Sequence, residues 1–308
     1  MSRFGSLARA CPASTSFRRV AGAGLGAALG LALSLLPETA AAHHVPGHGA
    51  SEGVRSINSL GGRGGRSQSR VLLLNELVYA DTGLAPNLAN STSLYGEYAP
   101  IPELSVAAQA PLLVIRDLDG SGDTGLGYGD TRLQLRITPH ARKLIHRVLS
   151  TGVTVVAPTR TVKLKVDPGP TTAVSPFIVF TRTYSRHFWQ LIGLSVIENR
   201  RAGTAIDVSF GAQGGSRVAR DKLSLGLGML FDLRVANFCA DPQGQRTFCT
   251  TSRAGEADRP VGALRVMVLT SFAYNITPRW SIIGAIQGPI SPRSDFTAAG
   301  SLGAQVFF

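Results

Sequence analysis

From Lys222 to Val235 the chain alternates without interruption. Leu223, Leu225, Leu227, Met229, Phe231, Leu233 and Val235 take every second position, with Lys222, Ser224, Gly226, Gly228, Leu230, Asp232 and Arg234 between them. A helix would scatter these residues around its circumference, whereas a strand sorts them onto two faces. The run is also far longer than the five or six residues usual for a strand in a soluble sheet. The pattern recurs. Leu133, Leu135 and Ile137 oppose Arg132, Gln134 and Arg136, and Ile206, Val208 and Phe210 oppose Asp207 and Ser209. Leu264, Val266, Val268, Phe272 and Tyr274 oppose a mixed face with Arg265, Ser271 and Asn275. At the end of the chain Phe296, Leu302, Val306 and Phe308 oppose Thr297, Ser301 and Gln305.

Alternation is shared by soluble sandwiches and membrane barrels, and three further features select the barrel. Charged residues such as Arg132, Arg136 and Asp207 sit in mid-strand on the polar face. Short connections (Tyr184–Arg186, Thr277–Arg279) alternate with long ones (Asp117–Gly129, Ala236–Pro260). Aromatic residues gather at the short-turn ends, at Tyr98, Phe188, Phe272, Tyr274 and Trp280. Short turns on one rim, long loops on the other and aromatic girdles mark a transmembrane β-barrel. The segments predict an all-β fold, a transmembrane antiparallel barrel of about twelve strands. Their spans are 70–79, 91–99, 104–116, 130–138, 151–160, 174–184, 188–198, 204–212, 221–235, 261–276, 280–288 and 295–308. The first, fifth and sixth have mixed faces. The polar faces nominate Arg132, Arg136, Asp207, Lys222, Asp232 and Arg234 as lumen-lining residues, with a positive bias that would favour anions in a wet lumen.

The first forty-two residues carry a different message. Arg18 and Arg19 precede an apolar run from Val20 to Leu36, followed by Pro37 and the small residues that end at Ala42. Charged region, apolar region and small-residue cleavage site together predict a secretory signal peptide over residues 1–42. The run is marginal for a spanning helix, and no later segment reaches eighteen consecutive apolar residues. Removing Arg3, Arg9, Arg18, Arg19 and Glu38 lowers the formal charge from +12 to +9. It also removes Cys11, leaving Cys239 and Cys249 ten residues apart around a polar, Gly- and Pro-containing interior. In an exported chain that spacing predicts a loop disulfide. No nearby histidine supports the competing zinc site.

A closed barrel must zip its last strand against its first, because an open edge in lipid leaves backbone groups unsatisfied. The terminal Phe308, with Val306 and Ala304 two and four positions before it, resembles the signal by which the barrel-assembly machinery recognises outer-membrane chains. The stretches "AHHVPGHGASEGVRSINSLGG" and "GLGYGDTRLQLRITP" resemble bacterial outer-membrane barrels of the MetA pathway of phenol degradation, themselves distantly like long-chain fatty-acid and aromatic-hydrocarbon channels. Gly129-Asp130 at a strand entrance and the hairpin from Tyr274 to Ile282 add to the likeness. The resemblance implies a transport role with no defined substrate and carries over no catalytic residues.

Three other stretches suggest chemistry and also have plainer explanations. Asp117–Gly125 spaces its acids like a calcium loop, but Tyr128 stands where a bidentate Glu belongs and strands flank it, so a Gly- and Asp-rich hairpin loop explains it better. His43, His44 and His48 could hold a transition metal, or be a solvated part of a periplasmic segment or plug over residues 43–69. His187, beside Ser185 and Tyr184, lacks any recognisable hydrolase signature. The sequence therefore predicts a channel or transporter in the bacterial outer membrane, with no enzymatic activity and no cofactor. A lipid-modifying enzyme and a structural or adhesive barrel are the alternatives. The expected partners are membrane lipid, lipopolysaccharide, the assembly machinery and an unidentified small molecule, but not nucleic acid, despite the basic charge.

Overall fold

A computed structural model describes residues 67–308 apart from 82–85, 118–123, 140–145, 162–171, 201–202, 220–221, 242, 252–258 and 292–296. The signal peptide, the three amino-terminal histidines and most of the calcium-like loop therefore lie outside the described residues. The rest is all β, with no helix among the described residues.

Fourteen strands follow in chain order: β1 (Arg70–Asp81), β2 (Pro86–Ile101), β3 (Leu104–Asp117), β4 (Thr124–Tyr128), β5 (Thr131–Ile137), β6 (Arg147–Ala157) and β7 (Thr172–Tyr184). Then come β8 (His187–Arg200), β9 (Gly203–Val218), β10 (Leu223–Ala240), β11 (Arg246–Cys249), β12 (Leu264–Asn275), β13 (Trp280–Pro289) and β14 (Ala298–Phe307). Every pairing is antiparallel. Twelve strands make a closed barrel, because β9 pairs with β10 and β14 pairs with β1, with Arg70 opposite Phe307. The final strand thus completes the wall, as an edge-free structure in lipid requires.

The other two strands lie on the long-loop rim, within stretches whose sequence reads as long connections. β4 pairs with β3 and runs on towards β5 across Gly129-Asp130, where the Gly129 amide donates to the Pro111 carbonyl. β11 pairs with the far end of β10 and is tied to it by the Cys239–Cys249 disulfide. The stretches predicted as long loops thus extend the wall beyond the barrel.

The period-two pattern sets which side chains meet which solvent. On β10, Leu225, Leu227, Met229, Leu233 and Val235 are exposed on the outer surface while Ser224, Leu230, Asp232 and Arg234 are buried inside. Leu227 is 61% exposed, as are comparable fractions of Leu94, Phe210, Ile286 and Leu302 on other strands. Such a surface around a whole barrel is suited to hydrocarbon rather than water. Tyr98, Tyr274 and Trp280 are exposed at the short-turn rim, as the girdle reading expects. Phe188 is not part of that girdle. It shares the inward face of β8 with Gln190 and Ile192, and its ring rests against Gly215.

The turns explain the connectivity. Pro102-Glu103 and Ser185-Arg186 are two-residue hairpin turns, with Ser185 at a φ of 43°. The alternation of short and long is imperfect, because the β5–β6 connection on the short-turn rim is longer than the β8–β9 connection on the opposite rim.

Candidate functional site

The inward faces form three layers. Nearest the short-turn rim, Glu97 on β2 is a hub. Arg70 Nε donates to its Oε2 at 2.9 Å, Arg136 Nη1 lies 3.4 Å from Oε1, and Ser105 Oγ and Tyr95 Oη donate to its two oxygens. Arg70 also reaches the Gln305 side chain and stands over the Tyr95 ring. Ser67 lies inside this mouth, hydroxyl to hydroxyl with Thr138 at 3.3 Å, so the segment entering β1 crosses beneath the barrel to the end of β5.

The middle layer mixes an apolar cluster with buried polar groups, among them Glu76 between Leu74 and Val78 on β1, Gln109 on β3 and Arg132 on β5. Val78, Phe177, Val179, Ile192, Leu194, Leu230, Met267 and Leu269 form a buried cluster contributed by β1, β7, β8, β10 and β12. Glycine makes room where the rings turn in: a Cβ at Gly152 on β6 would lie 2.1 Å from the Leu135 carbonyl oxygen and 2.6 Å from the Phe177 ring.

The third layer, towards the long-loop rim, is an ion-pair network. Arg234 grips Asp207 with two nitrogens, Nε at 2.6 Å and Nη2 at 3.3 Å, and its Nη1 donates to the Asn237 side chain at 2.7 Å. Asp232 accepts from Arg265 Nη2 and from Ser209 Oγ. Arg259 comes from the long connection between β11 and β12, and its Nη2 lies 3.3 Å from Asp207 and 3.0 Å from Asp232. Asn237 donates to the backbone carbonyls of Thr251 and Arg259, and Gly262 at a φ of 87° donates to the Arg234 carbonyl. The described ends of the connection are therefore stitched to the wall, with the Arg259 guanidinium inserted between two wall carboxylates.

The structure sorts the nominated residues. Arg132, Arg136, Asp207, Asp232 and Arg234 face inward and are buried; Asp207, Asp232 and Arg234 meet in one network while Arg136 joins the other. Lys222 is exposed in the β9–β10 turn, one residue before the strand begins, so it does not line the lumen. Ala304, Val306 and Phe308 lie on the outward face at the end of β14, with Phe308 81% exposed. His187 pairs through Nδ1 with Ser216 Oγ at 2.8 Å, not with Ser185.

The wet, positively biased lumen is corrected on both counts. Arg136, Arg234, Met267 and Val179 expose 1% of their surface, so these levels are packed. The buried charges nearly cancel, with seven arginines and six carboxylates among the described residues. Sequence reasoning missed Glu97, Arg259 and Arg265. Arg265 lay in plain view on an alternating strand, but Arg259 sits in a connection with no period to reveal its direction.

No protein-family model matches the chain, and no curated protein matches it in sequence. Among solved structures it is similar to the COG4313 outer membrane channel from Pseudomonas putida F1, at 13% identity and a TM-score of 0.59 over 78% of this chain and 96% of that one. It is also similar to the NanC porin, at 6% identity and a TM-score of 0.50 over 77% of this chain and 99% of that one. At these identities the likeness carries the fold, which is that of outer-membrane β-barrels.

Proposed function

We propose that this chain is an outer-membrane channel for small molecules, held closed in the conformation described. The carrying observation is the third layer, where a connection outside the barrel sends Arg259 between Asp207 and Asp232. A barrel with a purely structural role needs no such insertion, and burying charges is costly unless each is paired. A latch made of ion pairs can exchange its partners for those of a solute or for water.

The order of the layers bears on the cargo. Each ion-pair layer holds one more arginine than carboxylate, which suits an acidic group, and the apolar cluster between them suits a hydrocarbon or aromatic body, so a small amphipathic anion fits the path better than a sugar or an inorganic ion. The resemblance to phenol-degradation barrels and the likeness in fold to an outer-membrane channel and a porin support transport and name no cargo. In this reading the chain transports and does not catalyse.

Uptake into proteoliposomes tests it. Vesicles holding the barrel should take up a radiolabelled aromatic carboxylate faster than empty vesicles and faster than a neutral sugar of similar size. Equal leakage of both solutes, or no flux above empty vesicles, would refute the reading.

A further inference from the structure

On the outer surface at the short-turn rim, Arg147 of β6 stands directly opposite Arg182 of β7, which stands opposite Trp189 of β8. All three face outward. Val148 and Ser150 are the buried neighbours on β6, Thr181 on β7 and Gln190 on β8. Like charges directly opposite each other across two strands are destabilising. Yet among the described residues no carboxylate lies within ion-pair distance of either arginine. The Arg182 guanidinium lies 4.2 Å from the centre of the Tyr184 ring, and Trp189 packs against Phe180 with ring centres 5.2 Å apart. Arg186, exposed in the adjoining turn, adds a cation to the same sector, next to the His187–Ser216 pair. A patch of cations over an aromatic and apolar floor, at the level where the hydrocarbon surface ends, lacks one component: an anion that arrives with its own apolar chains.

We propose that Arg147 and Arg182 together bind the phosphate of an anionic glycerophospholipid, with Trp189, Tyr184 and Phe180 against its glycerol and upper acyl chains. The assignment rests on the outer-membrane reading above only for the leaflet. Short turns face the periplasm in such barrels, and the leaflet there is phospholipid. The phosphodiester removes the repulsion between the paired arginines, and an aromatic side chain at the interface holds the acyl region. A free phosphate ion would meet the two cations but leave the aromatic floor unused.

The test uses Trp189 as its own reporter. The chain has two tryptophans, so a Trp280→Phe background leaves Trp189 as the sole indole. The barrel is reconstituted in phosphatidylcholine, and quenching is titrated with brominated phosphatidylglycerol or brominated phosphatidylcholine. Phosphatidylglycerol should quench at a mole fraction about five- to thirtyfold lower, the scale expected for one or two cations near a membrane surface. Arg147→Gln with Arg182→Gln should erase the preference. Arg279→Gln, an exposed arginine in a different turn of the same rim, should retain it. Heat-modifiable gel mobility verifies that each variant is folded. Equal quenching by the two lipids, a preference that survives the double substitution, or its equal loss in Arg279→Gln would each overturn the assignment. Relief of quenching by millimolar inorganic phosphate would overturn it too, by identifying a simple ion site. None of these outcomes depends on whether the barrel conducts.

Discussion

Arg234 and Asp207 test the interior at the scale of single residues. Both are buried and joined by two hydrogen bonds, so removing one partner strands a charge in a dry layer. Arg234→Ala should destabilise the folded barrel by about 3–5 kcal/mol in urea titrations from lipid vesicles, whereas Arg234→Leu with Asp207→Leu should recover most of that loss. Equal damage from the single and double variants would mean that the pair matters for something besides charge balance. On the opposite face, Leu227→Arg places a cation in hydrocarbon and should cost about 2–4 kcal/mol in the same titration. Gly226 on the inward face is not a free position. A Cβ there would lie 2.3 Å from Gln213 Nε2, at the point where that amide donates to Ser271 Oγ. The sequence identified Asp207, Asp232 and Arg234 as inward but not as partners. Partnership depends on register, which sets Arg234 opposite Asp207 and Arg265 opposite Asp232.

At the scale of elements, β10 and β11 form a hairpin that rises beyond the barrel and is closed by Cys239 and Cys249. Alkylation of unreduced protein should find no accessible thiol at either position, and two labelled cysteines would contradict the pairing. Cys239→Ser with Cys249→Ser should speed amide exchange in β11, since the bridge closes a short loop worth about 2–3 kcal/mol in chain entropy. The main wall should keep its protection, because β10 also pairs with β9 and β12 along its length. Strand prediction was sharpest where one face is polar and the other apolar, as in β5 and β10. It was weakest for β1, β6 and β7, for a physical reason. These strands bring Leu72, Leu74 and Val78, Val148 and Val156, and Phe177 and Val179 to the inward face, so both faces read as apolar. A packed interior erases the alternation that a watery lumen would have written. β4 and β11 escaped notice because each is short and continues a neighbouring pairing instead of crossing the barrel.

For the whole molecule, the closed twelve-strand wall was legible in the sequence because lipid imposes one rule on every outward position. The interior obeys no single rule. Its charge layers and apolar cluster arise from side chains of strands far apart in sequence, and its latch comes from a connection. The central claim is that the barrel is a channel held shut by Arg259, and single-channel recording in planar bilayers tests it most directly. The unaltered barrel should show rare, brief openings. Arg259→Ala leaves Asp207 and Asp232 facing each other without the shared cation, and should raise open time or conductance about tenfold or more, given that a buried charge contact is worth upwards of about 1.4 kcal/mol. An Arg259→Ala barrel that is folded, inserted and as silent as the unaltered one would contradict the account.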